Sequence, residues 1–122
     1  MRSLIIIIVA FLATMCLMTL NYTHINKTAE KMTALTASLD IDDAEKCTAT
    51  ILAIEEIWQK NEAVFSLSVS FKETDHLGET ILSLKSAFES QNLAEFHKQR
   101  ALLKDAIDGV ARLERFSVLN IF

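Results

Sequence analysis

Residues 3–39 read SLIIIIVAFLATMCLMTLNYTHINKTAEKMTALTASL, and the passage within them from uniform to periodic hydrophobicity decides the fold. The first part, Ser3 to Leu20, contains no charged residue. With Asn21 and Tyr22 it reaches about 20 residues, or about 30 Å as a helix, which matches the hydrocarbon core of a bilayer. Tyr22 stands where aromatic side chains collect at the membrane–water interface. From there Tyr22, Ile25, Ala29, Met32 and Leu39 keep alternating steps of three and four, with Thr36 in the remaining place. That is the period of an amphipathic helix, so the membrane helix is expected to continue outward to about Leu39.

A cleaved signal peptide is the competing reading, because Arg2 supplies a positive leading region. Secretory apolar regions run about 7–15 residues and end in small residues one and three before the cut, and this run is longer with no such ending. The lipoprotein-like site Ala13-Thr14-Met15-Cys16 places a bulky Met directly before the cysteine. Residues 1–22 are therefore read as a transmembrane signal-anchor and 23–122 as an extracytoplasmic helical bundle. The leading amine and Arg2 on one side nearly balance Lys27 and Lys31 on the other, and the default for a signal-anchor keeps the short tail in the cytoplasm.

Outward from this stretch, composition narrows the fold further. The 122 residues include no proline and two glycines, where average usage gives about 6 and about 8. Sandwiches and barrels need frequent turn residues, and doubly wound folds need glycine at their phosphate-binding turns. Hydrophobic residues at 51% against 23% charged exclude disorder. Arg2 is the first of 12 basic residues and all 16 acidic ones follow the apolar run, so the remainder has a net charge of about −5. That balance argues against nucleic acid and against adhesion to anionic lipid.

The cluster Asp40-Ile41-Asp42-Asp43 breaks the first helix, and Asp42 with Glu45 has the spacing of a capping box. Ala44, Cys47, Ile51, Ile54, Trp58 and Phe65 form the next seam, interrupted by Asn61. Phe65 to Phe71 alternates strictly, a strand signal in isolation. With helix on both sides and no partner strand, it is read as helix or a local distortion. Leu77, Ile81, Leu84 and Phe88 resume the helical pattern, starting near Glu73 or running on from before. Gly78 lies inside it at a cost of about 1 kcal/mol against Ala, unless close helix approach offsets that. Ser90-Gln91-Asn92 makes the next break, and Asn92 with Glu95 again has capping-box spacing. Leu93, Phe96, Leu103, Ile107 and Val110 then predict a helix to about Arg115, undisturbed by Gly109. The fold class expected is all-α: an N-terminal transmembrane helix extended into a small antiparallel bundle of three or four helices.

Glu73-Thr74-Asp75-His76 contains one Glu-x-x-His, with Glu79 three places on. Helical carboxylate metal proteins use that motif twice with further glutamates, so Glu73, His76 and Glu79 are weak metal candidates and no cofactor is expected. His24, beside the bilayer, is a pH-sensor candidate or a plain interfacial residue. His97 and the run Lys98-Gln99-Arg100 with Lys104 and Asp105 read as solvated helix surface. Cys16 and Cys47 make no disulfide framework; both read as packing residues, with a bridge between chains through Cys47 as the alternative. Asn21-Tyr22-Thr23 and Asn26-Lys27-Thr28 match the glycosylation sequon. No nucleophile elbow, phosphate loop or dinucleotide turn occurs, so no enzymatic activity is expected. Trp58 is read as core or as a partner anchor, and Ser117 to Phe122 is too apolar for a solvated tail. Trp58, Leu119, Asn120, Ile121 and Phe122 are thus the partner-binding candidates.

The N-terminal hydrophobic helix, the mid-chain Trp58, Leu84-Lys85, Leu102-Leu103-Lys104 and above all the ending Leu119-Asn120-Ile121-Phe122 resemble the bacterial family named domain of unknown function 4363. The resemblance covers essentially the whole chain. It implies a membrane-attached protein of spore-forming, Gram-positive-type bacteria with no known activity, and it lends no catalytic residues. The expected function is a membrane-anchored accessory module that binds or regulates an envelope or membrane protein, or a second copy of itself. The alternatives are a sensor that binds a small ligand within the bundle and a metal-dependent enzyme through Glu73, His76 and Glu79.

Overall fold

A computed structural model describes the backbone of residues 1–68 and 71–121 and the side chains of residues 1–66 and 72–112. Four helices follow one another: α1 (Arg2–Ala37), α2 (Ala44–Ser68), α3 (Phe71–Glu89) and α4 (Leu93–Ile121). No strand occurs among the described residues. Phe65 to Ser68 of the alternating segment belong to α2, and residues 69 and 70 lie outside the described set.

Each helix packs on the next and α1 also packs on α4, so the four form a closed up-down-up-down ring. The seam residues face its centre. Ile25, Ala29 and Met32 of α1, with Leu39 just beyond it, meet Cys47, Ile51, Ile54, Trp58 and Phe65 of α2. Leu77, Ile81 and Leu84 of α3 and Phe96, Leu103, Ile107 and Val110 of α4 close the other side. Two positions expected on the seam are exposed instead, Ala44 and Leu93. Each is the first residue of its helix, at a corner where the chain has yet to turn inward.

Buried threonines fit this apolar core because their hydroxyls are satisfied within the helix. Thr28, Thr36, Thr50 and Thr80 donate to the carbonyls of His24, Met32, Lys46 and His76, at 2.7–2.8 Å. Thr36 accordingly takes the vacant seam position of α1 without leaving a buried polar group unmet.

α1 ends at Ala37 and residues 38–43 turn the chain. Asp40 Oδ1 accepts from the backbone N–H of Asp42 at 3.0 Å, an Asx turn that carries the chain one residue further before α2 begins. The N-cap is therefore Asp43 and not Asp42: its Oδ1 accepts from Lys46 N at 3.2 Å and its carbonyl from Cys47 N at 2.8 Å.

At the α3–α4 corner one asparagine serves two helices. Gln91 N bonds Phe88 O and Asn92 N bonds Ala87 O, a Schellman ending with Gln91 at φ 58° where glycine is usual. Asn92 Oδ1 then accepts from Glu95 N at 3.2 Å, so the expected cap forms. Glu95 does not complete the box; its carboxylate accepts from Gln99 Nε2 at 2.8 Å instead. α4 runs to Ile121, beyond the expected end near Arg115, and neither proline nor glycine stands between them.

Candidate functional site

α2 and α3 are held apart along part of their length and leave a cleft of about 310 Å³. Its floor is Trp58 and Gly78. The indole is 5% exposed and meets the ring of Phe65 edge-on, with centroids 5.4 Å apart. A Cβ on residue 78 would lie 3.2 Å from Trp58 Nε1, closer than ordinary van der Waals contact. The glycine inside α3 therefore permits α3 to lie against the indole edge, which offsets its weak helix propensity.

Glu55, Gln59 and Glu62 of α2 and Thr74, Asp75 and Glu79 of α3 line the walls, and among the described residues no lysine or arginine does. Lys85 Nζ reaches Glu55 at 3.2 Å from beyond the lining. Trp58 Nε1 has no hydrogen-bond acceptor among the described residues, although its ring is almost wholly buried.

The residues singled out from sequence are not assembled into one site. Glu79 lines the cleft, His76 is exposed outside it and Glu73 is half-buried. Among the described residues no three His, Cys, Asp or Glu side chains are grouped so as to hold a metal ion. Trp58 packs in the core and presents no protruding ring to a partner. The side chains of Leu119, Asn120, Ile121 and Phe122 lie outside the described residues.

Two further contacts join residues far apart in the chain. His24 Nε2 lies 2.6 Å from Asn61 Oδ1, while Asn61 Nδ2 donates to Ile57 O at 2.8 Å. With the amide thus oriented, His24 Nε2 is the donor. The contact ties the first polar turns of α1 to α2. At the other end of the bundle, Arg100 Nε and Nη2 donate to the carbonyls of Thr36 and Ala37 at 3.1 and 2.7 Å. Arg100 is thus not part of a solvated face; it closes the C-terminus of α1, where free carbonyls and the helix dipole favour a cation. Lys98, Lys104 and Asp105 are exposed, as a solvated face requires.

Cys47 is fully buried, and both cysteines are free. Burial pushes its thiol pKa up, Asp40 adds to this and Arg100 opposes it. A bridge between chains through Cys47 would require the core to open. Cys16 is exposed on the apolar part of α1 and does not pack within the chain, which corrects its reading as a packing residue.

The family model described as Domain of unknown function (DUF4363) matches residues 17–121, from within the apolar run of α1 to the end of α4. The chain belongs to this family. The match takes in every element of the DUF4363 bundle, including the α2–α3 cleft and both long-range contacts. No curated protein and no solved structure matches the chain.

Proposed function

We propose that this DUF4363 protein is a single-pass membrane protein whose bundle, outside the cytoplasm, binds or regulates an envelope or membrane protein and carries out no chemistry itself. The continuity of α1 carries the reading. Its 36 residues form one helix long and apolar enough to cross a membrane. No residue of the most apolar 18-residue stretch is fully buried within the chain; Met15 and Met18 are half-buried, and the leucine, isoleucine, valine and phenylalanine side chains from Leu4 to Leu20 are 49–68% exposed. The last third of the same helix is a wall of the core.

An apolar medium suits the first part. Thr14 and Thr19 donate to the carbonyls of Ala10 and Met15, so neither hydroxyl asks for water. Arg2 at the start supports a cytoplasmic tail, and the acidic remainder supports a protein partner over nucleic acid.

Purification of the full chain in mild detergent tests the reading. A second protein is expected to co-purify and to be lost when Val118 to Phe122 are deleted. A chain that emerges alone and monodisperse, unchanged by the deletion, would sink the interaction reading. A topology reporter at the C-terminus that reads out in the cytoplasm would overturn the localisation and the class of partner together.

A further inference from the structure

We propose that the end of the bundle nearest the apolar run of α1 is set into the outer leaflet of the bilayer, so that the ends of α2, α3 and α4 lie in lipid beside the span. The inference rests on the reading of α1 as a membrane span.

Contacts between distant residues fix the level of each helix against α1. His24 meets Asn61, and α2 runs on from Asn61 for seven residues, about 10.5 Å, to Ser68. The same distance back along α1 from His24 reaches Leu17, inside the charge-free run Ser3 to Leu20. Gly78 lies against Trp58. Phe71, the first residue of α3, is seven residues back from Gly78 and so level with Phe65, seven residues on from Trp58. Ala111 of α4 lines one cleft with Asn26 and Ala29 of α1. Ile121 is ten residues further, about 15 Å, which brings the end of α4 level with about residues 16–19 of α1. Counting from the contact of Arg100 with Thr36 and Ala37 places it level with about residue 16.

The sequence changes character at this same level. Glu62 and Lys72 bracket a stretch without charge, Ala63 to Phe71, and Arg115 is followed by another, Phe116 to Phe122. By the same counting Glu62 and Arg115 stand level with about residues 21–25 of α1, around Tyr22 at the top of the apolar run. Three stretches far apart in the chain thus lose their charges in one plane. The opposite end of the bundle is built otherwise, with Asp40-Ile41-Asp42-Asp43 and Ser90-Gln91-Asn92 at its corners. Below the plane the helices continue for about 10 Å, the depth that amphipathic elements reach at the boundary of headgroups and acyl chains. A second copy or a protein partner could also cover apolar helix ends. Neither would require them to begin where α1 enters the bilayer.

Nitroxide labels test this on the full chain in phosphatidylcholine bilayers. Cys16→Ser removes the exposed thiol and Cys47 is buried, so single cysteines can be walked through positions 116–121 and placed at Ser68, Leu12 and Leu93. Collisions with oxygen, which concentrates in lipid, are compared with collisions with a water-soluble nickel chelate. Leu93→Cys, at the far end, is expected to favour nickel, and Leu12→Cys, within the span, to favour oxygen. Ser68→Cys and the accessible positions among 116–121 are expected to shift to the oxygen side with Leu12→Cys. Labels at 116–121 that favour nickel as Leu93→Cys does overturn the proposal, because the end of α4 then stands in water. So do labels shielded from both reagents at every one of these positions, because protein then covers them. If Leu12→Cys itself favours nickel, the span reading of α1 falls and the proposal with it; oxygen at Leu12→Cys with nickel at 116–121 removes the proposal alone. Thermal unfolding checks each variant, and where one label unfolds the chain the remaining positions of the walk carry the test.

Discussion

At Gly78 the absence of one methyl group sets how near α3 comes to the indole of Trp58. Glycine is normally about 1 kcal/mol worse than alanine inside a helix. Here the added Cβ would press on Nε1 at 3.2 Å, and the indole is already fixed by the ring of Phe65. Gly78→Ala is therefore expected to gain less than that 1 kcal/mol in the native chain. With Trp58→Phe, which removes the opposing atoms, the full propensity gain should return. Urea unfolding of the four proteins in this cycle measures the difference, and a zero coupling energy would show that the contact is slack. Cys47 gives a pH dependence of definite sign. Its folded pKa lies above the ordinary 9.0, raised mainly by burial. Its contribution is therefore fully present below the unfolded value and is lost as the pH climbs through the folded one. Stability of the native chain should fall above about pH 9 more steeply than that of Cys47→Ala, as unfolding curves from pH 8 upward would record.

Elements were legible wherever their signal is local. The seam of α1, α2 and α3 follows the steps of three and four read along the chain, since a period of 3.6 residues needs no knowledge of the partner helix. The breaks at 38–43 and 90–92 were legible because Asp and Asn compete for backbone hydrogen bonds there. What the pattern missed depends on contacts between distant residues. Arg100 looked like one more surface charge, and its task is defined by carbonyls 63 and 64 positions earlier. His24 and Asn61 each stood out as polar residues near a seam, yet nothing local pairs them across 37 positions. The cleft was equally hidden, because it arises from how α2 and α3 are set against each other. The shift of the cap from Asp42 to Asp43 is a one-residue effect of the turn at Asp40. Asp43→Ala is accordingly expected to cost about 1 kcal/mol. Asp42→Ala should stay within about 0.5 kcal/mol. Equal losses by thermal unfolding would return the cap to Asp42.

In the whole molecule, α1 is both the apolar span and one wall of a four-helix ring, so the ring cannot be completed without the helix that leaves it. Neither proline nor glycine occurs along α1, so it has no residue that would kink or loosen it. Its length of about 54 Å joins the exposed apolar run and the buried seam as a single rod. Such a rod fixes a phase as well as a distance. Each residue added to an α-helix turns everything beyond it by about 100° and lifts it by about 1.5 Å. One alanine inserted between Asn21 and Tyr22 should thus leave the bundle folded yet swing the cleft through more than a quarter of a circle relative to a partner in the same membrane. Seven inserted residues return it to within about 20°. Co-purification should therefore be lost with one added residue and largely recovered with seven, against an unchanged thermal unfolding midpoint. A partner retained equally at every insert length would mean that the bundle engages it without regard to azimuth. On the proposed reading, the unbroken helix makes the compass bearing of the bundle a property written in the spacing between the apolar run and the core.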